Sequence, residues 1–377
     1  MHYPRPCLDP LKASAAGRAA VGWMAVCGLL LAGVLAGGGC ATPAKPLVTE
    51  EVSDLGYVPV WATNLVVPKG QRVNHAMVLD DLVMVAEAPE PRLTAVELDT
   101  GKIRWRRKLG DGVFPLSRPH RRGDEILVVE DASRIAILDA DNAEVKTYQD
   151  LGNAMSSDPV LFGDVLLYGS LNGIAIAHNL NVGFPTWRYA LPYQIVARPV
   201  VEGDRVVFAD EGGTYAMLDA VSGSLMWRGR AFEGITATPA ITNAAVFLPS
   251  EDGTLYALDA LNGEDLWVHH TTTPLTEPVT KLGQNLYLPI PGQALRVLDP
   301  LSGEVLWEAP ESYRPVRLRK GELLVYDGRS LHVLDPDDGR VMRSAASREN
   351  VQVLDATDGN LLIVGENGRL LRLDDLQ

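Results

Sequence analysis

The fold is decided by a ten-residue stretch, residues 218–227, which reads Leu-Asp-Ala-Val-Ser-Gly-Ser-Leu-Met-Trp. An apolar strand ends at Asp219, a tight turn follows in which Gly223 can adopt positive φ, and the next strand ends in Trp227. The same arrangement returns at residues 258–267 and 298–307. A stretch that returns at a fixed interval predicts a repeat architecture.

Outward from this stretch, an apolar segment ends in Asp or its equivalent about every 40 residues. The anchor positions are Asp99, Asp139, Asn179, Asp219, Asp259, Asp299, Asp335 and Asp374. Their regular spacing favours a structural role, in which the side chain accepts backbone N–H groups in an Asx turn, over acid/base chemistry or Ca²⁺ binding.

Each unit has room for four short strands separated by turns. A proline such as Pro199 opens a unit, a Gly-Asp turn follows the first strand, and the fourth strand ends in Trp. A four-stranded sheet cannot cover both of its faces, so the units must stack, and a closed ring leaves no apolar end uncovered. The sequence therefore predicts an all-β protein, an eight-bladed β-propeller of four-stranded antiparallel blades.

The termini indicate how the ring closes. The last unit stops at Asp374 after its third strand, whereas Val58-Pro59-Val60-Trp61 is a fourth strand with no preceding three. We expect this N-terminal strand to complete the last blade. Two units, around residues 143–147 and 340–343, lack the fourth-strand Trp and are expected to dock less tightly.

The N-terminal segment predicts export. Residues 1–39 combine basic residues with an uncharged apolar stretch and end in Gly-Gly-Gly before Cys40, which is typical of a lipoprotein signal peptide with Cys40 as the lipidated residue. The alternative is a retained transmembrane anchor at residues 19–39. We expect residues 40–56 to be a tether and residues 57–377 the propeller. The part after residue 39 carries 31 basic and 47 acidic residues, a net charge of −16, which disfavours nucleic acid as a partner.

The repeat Leu-Asp-x-x-x-Gly-x-x-x-Trp resembles the tryptophan-docking repeat of quinoprotein-type (PQQ-like) propellers over about residues 57–377. That resemblance implies that each Trp packs between neighbouring blades and hydrogen-bonds across to the next. The tryptophans concerned are Trp61, Trp105, Trp187, Trp227, Trp267 and Trp307.

Two branches of that family have different roles. The longer quinone-dependent dehydrogenases hold pyrroloquinoline quinone over Ca²⁺ beside a pair of adjacent cysteines, which this chain lacks. The BamB-like lipoproteins of the outer-membrane β-barrel assembly machinery are similar in length and blade number. The resemblance therefore implies a non-enzymatic scaffold without a cofactor, facing the periplasm from the outer membrane and binding envelope proteins. The alternatives are a small quinone and Ca²⁺ enzyme, which needs a polar cluster at the ring axis, and a sugar-binding propeller.

One basic patch interrupts the acidic background and is a candidate partner surface. It consists of Arg104, Arg106, Arg107, Lys108, Arg118, Arg121 and Arg122. The alternative interpretation is a solvated outer edge that charge keeps from pairing with other strands. The chain contains no P-loop, Gly-x-Ser-x-Gly elbow or His-Glu-x-x-His motif, so it carries no nucleotidase or hydrolase signal.

Overall fold

A computed structural model describes residues 50–375 apart from 113, 348, 357 and 358. The predicted signal peptide, the lipidation site Cys40 and most of the predicted tether lie outside the described residues. Within the described part, a 3₁₀ helix, Glu50–Leu55, precedes 32 strands. No helix in this part is long and apolar enough to cross a membrane.

The strands form eight antiparallel sheets of four. Blade 1 contains β2 (Arg72–Leu79), β3 (Leu82–Ala88), β4 (Arg92–Glu97) and β5 (Ile103–Lys108). Blade 2 contains β6 (His120–Arg122), β7 (Glu125–Glu130), β8 (Arg134–Asp139) and β9 (Val145–Asp150). Blade 3 contains β10 (Val160–Phe162), β11 (Val165–Gly169), β12 (Ile174–Asn179) and β13 (Phe184–Ala190). Blade 4 contains β14 (Val200–Glu202), β15 (Arg205–Ala209), β16 (Thr214–Asp219) and β17 (Leu225–Arg230). Blade 5 contains β18 (Ala240–Ile241), β19 (Ala245–Pro249), β20 (Thr254–Asp259) and β21 (Asp265–His270). Blade 6 contains β22 (Thr280–Leu282), β23 (Asn285–Ile290), β24 (Ala294–Leu298) and β25 (Val305–Ala309). Blade 7 contains β26 (Arg314–Arg319), β27 (Glu322–Tyr326), β28 (Ser330–Leu334) and β29 (Val341–Ala346). Blade 8 contains β30 (Val351–Asp355), β31 (Leu361–Gly365), β32 (Arg369–Asp375) and, as its fourth strand, β1 (Tyr57–Asn64).

The predicted fold and ring closure are confirmed. Strand β1 runs antiparallel to β32, with Tyr57 opposite Asp375 and Asn64 opposite Arg369. Because the two strands come from opposite ends of the described chain, one sheet holds both ends and no blade face is left open.

The core lies between the blades. In the described part of the chain, eight clusters of buried apolar side chains each join two neighbouring blades. The middle strands are the most buried, as in β15, where Val206, Val207 and Phe208 are fully inaccessible to solvent. The first strands contact one another around the axis, as β14 does with β10 and β18, and the fourth strands form the outer edge.

Six anchor residues, Asp139, Asn179, Asp219, Asp259, Asp299 and Asp335, form Asx turns at the ends of the third strands. Asp219 Oδ1 accepts hydrogen bonds from the backbone N–H groups of Val221 and Ser222, at 3.2 and 2.7 Å. The alignment of the first unit was wrong by two residues: β4 ends at Glu97, whose carbonyl accepts the Gly101 N–H as that of Asp219 accepts the Gly223 N–H. Asp99 therefore lies inside the turn. The Leu98-Asp99 pair has the same sequence as the Leu-Asp pair that ends the other third strands, but it lies two residues after the end of β4.

The folded part begins before residue 57. Val52 and Leu55 of the 3₁₀ helix are buried in the cluster between blades 7 and 8, at 5% and 2% exposure. Six residues of the segment assigned to the tether thus belong to the propeller structure.

Candidate docking face and axial ring

The tryptophans of the repeat bridge neighbouring blades. In each case the indole Nε1–H donates to a backbone carbonyl in the turn between the third and fourth strands of the next blade. The bonds are Trp61 to Leu98 (2.8 Å), Trp105 to Ala140 (2.8 Å), Trp187 to Ala220 (3.0 Å), Trp227 to Ala260 (3.3 Å), Trp267 to Pro300 (3.1 Å) and Trp307 to Pro336 (2.7 Å). The indole also lies directly on the turn glycine, because a Cβ on Gly223 would come within 2.5 Å of Trp187.

The two blades without this tryptophan use other contacts. In blade 2, the Gln149 side-chain amide donates to the Leu180 carbonyl at 2.7 Å, the position that an indole N–H serves elsewhere. In blade 7, the 3₁₀ helix Glu50–Leu55 packs against β29. The sequence pattern missed both substitutes because Gln149 does not resemble Trp and the helix comes from the other end of the chain.

Six of the seven cations of the predicted basic patch make ion pairs within the protein. Arg106 makes an ion pair with the buried carboxylate of Glu87 at 2.6 Å, and Arg107 donates to the Ala143 carbonyl at 2.8 Å. The other cations each pair with a carboxylate. These pairs are Arg104 with Asp81, Lys108 with Glu90, Arg118 with Asp158, Arg121 with Asp81, and Arg122 with Glu125. The patch is therefore largely paired, since carboxylates from neighbouring strands and blades contact every one of its cations except Arg107.

Two exposed aromatic side chains, Phe232 and Tyr193, lie on one face, which we call the loop face, whereas Phe184, 72% exposed, lies at the opposite ends of the strands. The loop face is formed by the hairpins between second and third strands and by the connections from each fourth strand to the next blade. Phe232 is 84% exposed in the connection after β17, and Tyr193 is 51% exposed in the connection after β13. We define the docking patch as these two aromatics with the exposed Glu211 and Glu233 beside them.

The loops that carry the docking patch are tied to the next blade through their backbones. The Glu211 N–H of blade 4 donates to the Gln194 carbonyl at 2.9 Å, and the Glu251 N–H of blade 5 donates to the carbonyl of Gly234, two residues after Phe232, at 2.8 Å. The Tyr193 ring covers Gly212, where a Cβ would come within 2.0 Å of the ring. These contacts restrict the loop backbones, so the two exposed aromatic side chains are held by loops with little conformational freedom.

A second polar site surrounds the axis. The residue immediately before the proline that opens a blade is polar in all six blades that have this proline. These residues are Arg118, Asp158, Arg198, Thr238, Glu277 and Arg314. In blades 1 and 8 the strand register brings His75 and Gln352 to the equivalent place. We call these eight residues the axial ring. The spacing of about 40 residues between these polar residues is the sequence signal for this site, because the same position of successive blades recurs around the axis.

Ion pairs between neighbouring blades satisfy part of the axial ring. Arg314 binds Glu277 through two hydrogen bonds, at 3.0 and 2.6 Å, and Arg118 Nε lies 3.0 Å from Asp158 Oδ2. His120 lies beside the axial ring, and burial lowers its pKa to about 4. Its imidazole is therefore neutral, and the Nε2–H donates to the Pro159 carbonyl at 3.0 Å.

Comparison with protein families gives a match to outer membrane protein assembly factor BamB over residues 58–194 and 149–317. The chain belongs to this family. The two matched ranges run through most of the propeller, and the predicted resemblance to PQQ-like, BamB-type propellers is thereby confirmed. No curated protein matches this BamB-family chain.

Solved structures share the fold of this BamB-family propeller. BamB from Moraxella catarrhalis is 16% identical, with a TM-score of 0.68 over 84% of this chain and 99% of that one. The computationally designed Ika8 protein is 13% identical, with a TM-score of 0.67 over 82% of this chain and 98% of its own. The quinohemoprotein alcohol dehydrogenase ADHIIG from Pseudomonas putida HK5 is 11% identical, with a TM-score of 0.67 over 85% of this chain and 76% of its own. At these identities the similarities show the fold alone.

The residues of the axial ring do not fit the quinone and Ca²⁺ pair of the dehydrogenase branch. Ca²⁺ takes six to eight oxygen ligands, whereas the described residues contain no group of three or more His, Cys, Asp or Glu that could hold a metal. The two carboxylates of the ring, Asp158 and Glu277, already accept hydrogen bonds from arginines.

Proposed function

We propose that this protein is a lipoprotein scaffold of the cell envelope that holds partner proteins of outer-membrane protein assembly through the docking patch. The observation that carries this proposal is an 84% exposed phenylalanine on a loop fixed to the neighbouring blade. Membership of the BamB family supports the assembly role.

Exposed aromatics on a rigid loop are suited to binding. Truncation of a few central aromatic residues costs most of the affinity in typical interfaces, whereas flexible side chains and loops lose entropy when they are ordered. Phe232 and Tyr193 offer apolar area, and their loops are already ordered by hydrogen bonds between blades.

The charge around these aromatics selects the chemistry of the partner. Glu211 and Glu233 are exposed beside the rings, and the whole chain carries a net charge of −14. An apolar surface rimmed by Lys or Arg complements this patch, because opposite potentials speed association and disfavour acidic competitors.

Membrane attachment through Cys40 is part of the same proposal. We assign residues 1–39 to a signal peptide that is removed and Cys40 to the lipidated first residue, with the propeller facing the periplasm. The short segment between Cys40 and the 3₁₀ helix then keeps the propeller close to the bilayer. Non-enzymatic scaffolding requires no cofactor, and envelope proteins are its partners.

Photo-crosslinking in intact cells tests the docking patch. A crosslinking residue at position 232 is expected to capture the central component of the barrel-assembly machinery, identified with an antibody. The matched position is Leu301, which is 81% exposed in a turn between third and fourth strands, at the opposite ends of the strands. The Phe232→Ala variant is expected to lose roughly tenfold or more in affinity for that component, and Leu301→Ala is expected to bind normally. Capture from position 301 alone, or no loss in Phe232→Ala, would contradict the proposal.

A further inference from the structure

We propose that the axial ring binds a small oxyanion, a phosphate or carboxylate group, between the guanidinium groups of Arg118 and Arg198. This site is separate from the docking patch and does not depend on the proposed scaffold function. It rests on the charge balance, the unused hydrogen-bond donors and the open space at the axis.

The charges of the ring do not cancel on one side. Glu277 balances Arg314, but Asp158 is the single carboxylate of the ring between Arg118 and Arg198. Burial and the nearby Arg118 both lower the pKa of Arg198, while Asp158 raises it. This half of the ring therefore has an excess positive charge that only a bound anion or solvent can offset.

The same residues have unused donors. Arg198 makes one hydrogen bond among the described residues, from Nε to the Pro159 carbonyl at 3.4 Å, and Arg118 uses its Nε and its backbone N–H on Asp158. The terminal nitrogens of both guanidinium groups thus have no partner in this part of the chain. Planar guanidinium groups bind carboxylate and phosphate oxygens in pairs of parallel hydrogen bonds.

A third donor comes from His75 in blade 1. Its Nδ1 lies 3.1 Å from the Asn74 side-chain amide, and its Nε2 is buried without a partner among the described residues. Because the Asn74 amide donates to Nδ1, the neutral imidazole of His75 carries its hydrogen on Nε2. Burial and Arg118 lower the pKa of His75, whereas Asp158 and the nearby Ser117 backbone raise it, so His75 lies in the same half of the axial ring as Arg118 and Asp158.

The axis also provides space. A cavity of about 390 Å³ is lined by Arg118 and by the first strands of blades 6, 7, 8 and 1, and it does not extend to Arg198. Its charged lining residues are Arg118, Arg314, Glu277 and Asp355, and apolar side chains such as Met77 and Val316 also line it. This volume lies within the range of small-molecule pockets.

Titration calorimetry with inorganic phosphate and with acetate at constant ionic strength tests the site. At least one of the two anions is expected to bind the full chain, and the one that binds identifies the preferred group. Arg198→Gln is expected to weaken binding at least tenfold, and Asp158→Asn is expected to tighten it several-fold because a competing carboxylate is removed. Arg228→Gln is the matched control, since Arg228 is an exposed arginine on β17 whose side chain makes no hydrogen bond among the described residues.

Three outcomes would overturn the inference. They are no binding of either anion, equal weakening by Arg228→Gln, and unchanged affinity in Asp158→Asn. Circular dichroism in anion-free buffer checks that each variant is folded. If Arg198→Gln does not fold, Arg118→Gln takes its place, with the same expected loss of affinity.

Discussion

Gly263 lies in the turn between β20 and β21, where the chain must satisfy two constraints at once. Its φ is +75°, and a Cβ would come within 2.7 Å of Trp227. The first constraint is local, because L side chains disfavour this backbone region. The second comes from the neighbouring blade, whose indole packs on the turn. Gly203 has a similar φ of +58° but nothing within 4 Å of its Cβ position.

The two glycines allow the constraints to be separated. Gly203→Ala is expected to lower the free energy of unfolding by about 1 kcal/mol, the cost of the backbone strain. Gly263→Ala is expected to lower it by about 2–4 kcal/mol, because displacement of Trp227 is added to the strain. Urea unfolding of both variants measures the difference. Equal losses would show that the indole contact contributes nothing to blade docking.

Strand β1 is the element on which the closed ring depends. It pairs with β32 along its length, and Trp61 links it to blade 1. The buried Arg317 of blade 7 donates to the Tyr57 hydroxyl at 2.7 Å and to Asp375 at 3.2 Å. Blades 7, 8 and 1 are therefore joined through this one strand.

Deletion of residues 58–65 is expected to open the ring and to lower the melting temperature by roughly 10 °C or more, since apolar faces of blades 8 and 1 lose their cover. A synthetic peptide of residues 57–65, added in trans, is expected to restore part of the loss. Calorimetric melting measures both effects. Val60→Thr, at a position 46% exposed on β1, is the control with an unchanged melting temperature. An unchanged melting curve after deletion would contradict the closure.

At the scale of the whole molecule, the propeller is a rigid acidic ring with two distinct polar or amphipathic sites, the docking patch on the loop face and the axial ring. Its usefulness as a scaffold depends on where it is held. The proposed lipid on Cys40 keeps the ring near the membrane and raises the local concentration of membrane-attached partners.

The Cys40→Ser variant is expected to keep residues 1–39 and to run as a larger band than the unsubstituted protein, because a lipoprotein signal peptide is removed after its cysteine has been lipidated. A single substitution at this position leaves the described propeller unchanged, so the propeller should melt like that of the unsubstituted protein. Immunoblotting of cells with an antibody to the propeller measures the size of both proteins. If the two proteins ran at the same size, a retained anchor at residues 19–39 would replace the lipid in this account.

The sequence by itself determined the architecture. The 40-residue return of Leu-Asp, Gly and Trp requires four strands per unit, and the incomplete units at the two ends require a shared blade, so the ring followed from local patterns and the need to cover apolar faces. Only the tertiary structure decided which surfaces are available. It paired the cations around Arg106 with carboxylates distant in sequence, supplied Gln149 where Trp is absent, and left Phe232 exposed. The physical reason is that a repeat encodes backbone geometry within one unit, whereas charge pairing and exposure depend on side chains that meet only when neighbouring blades stack.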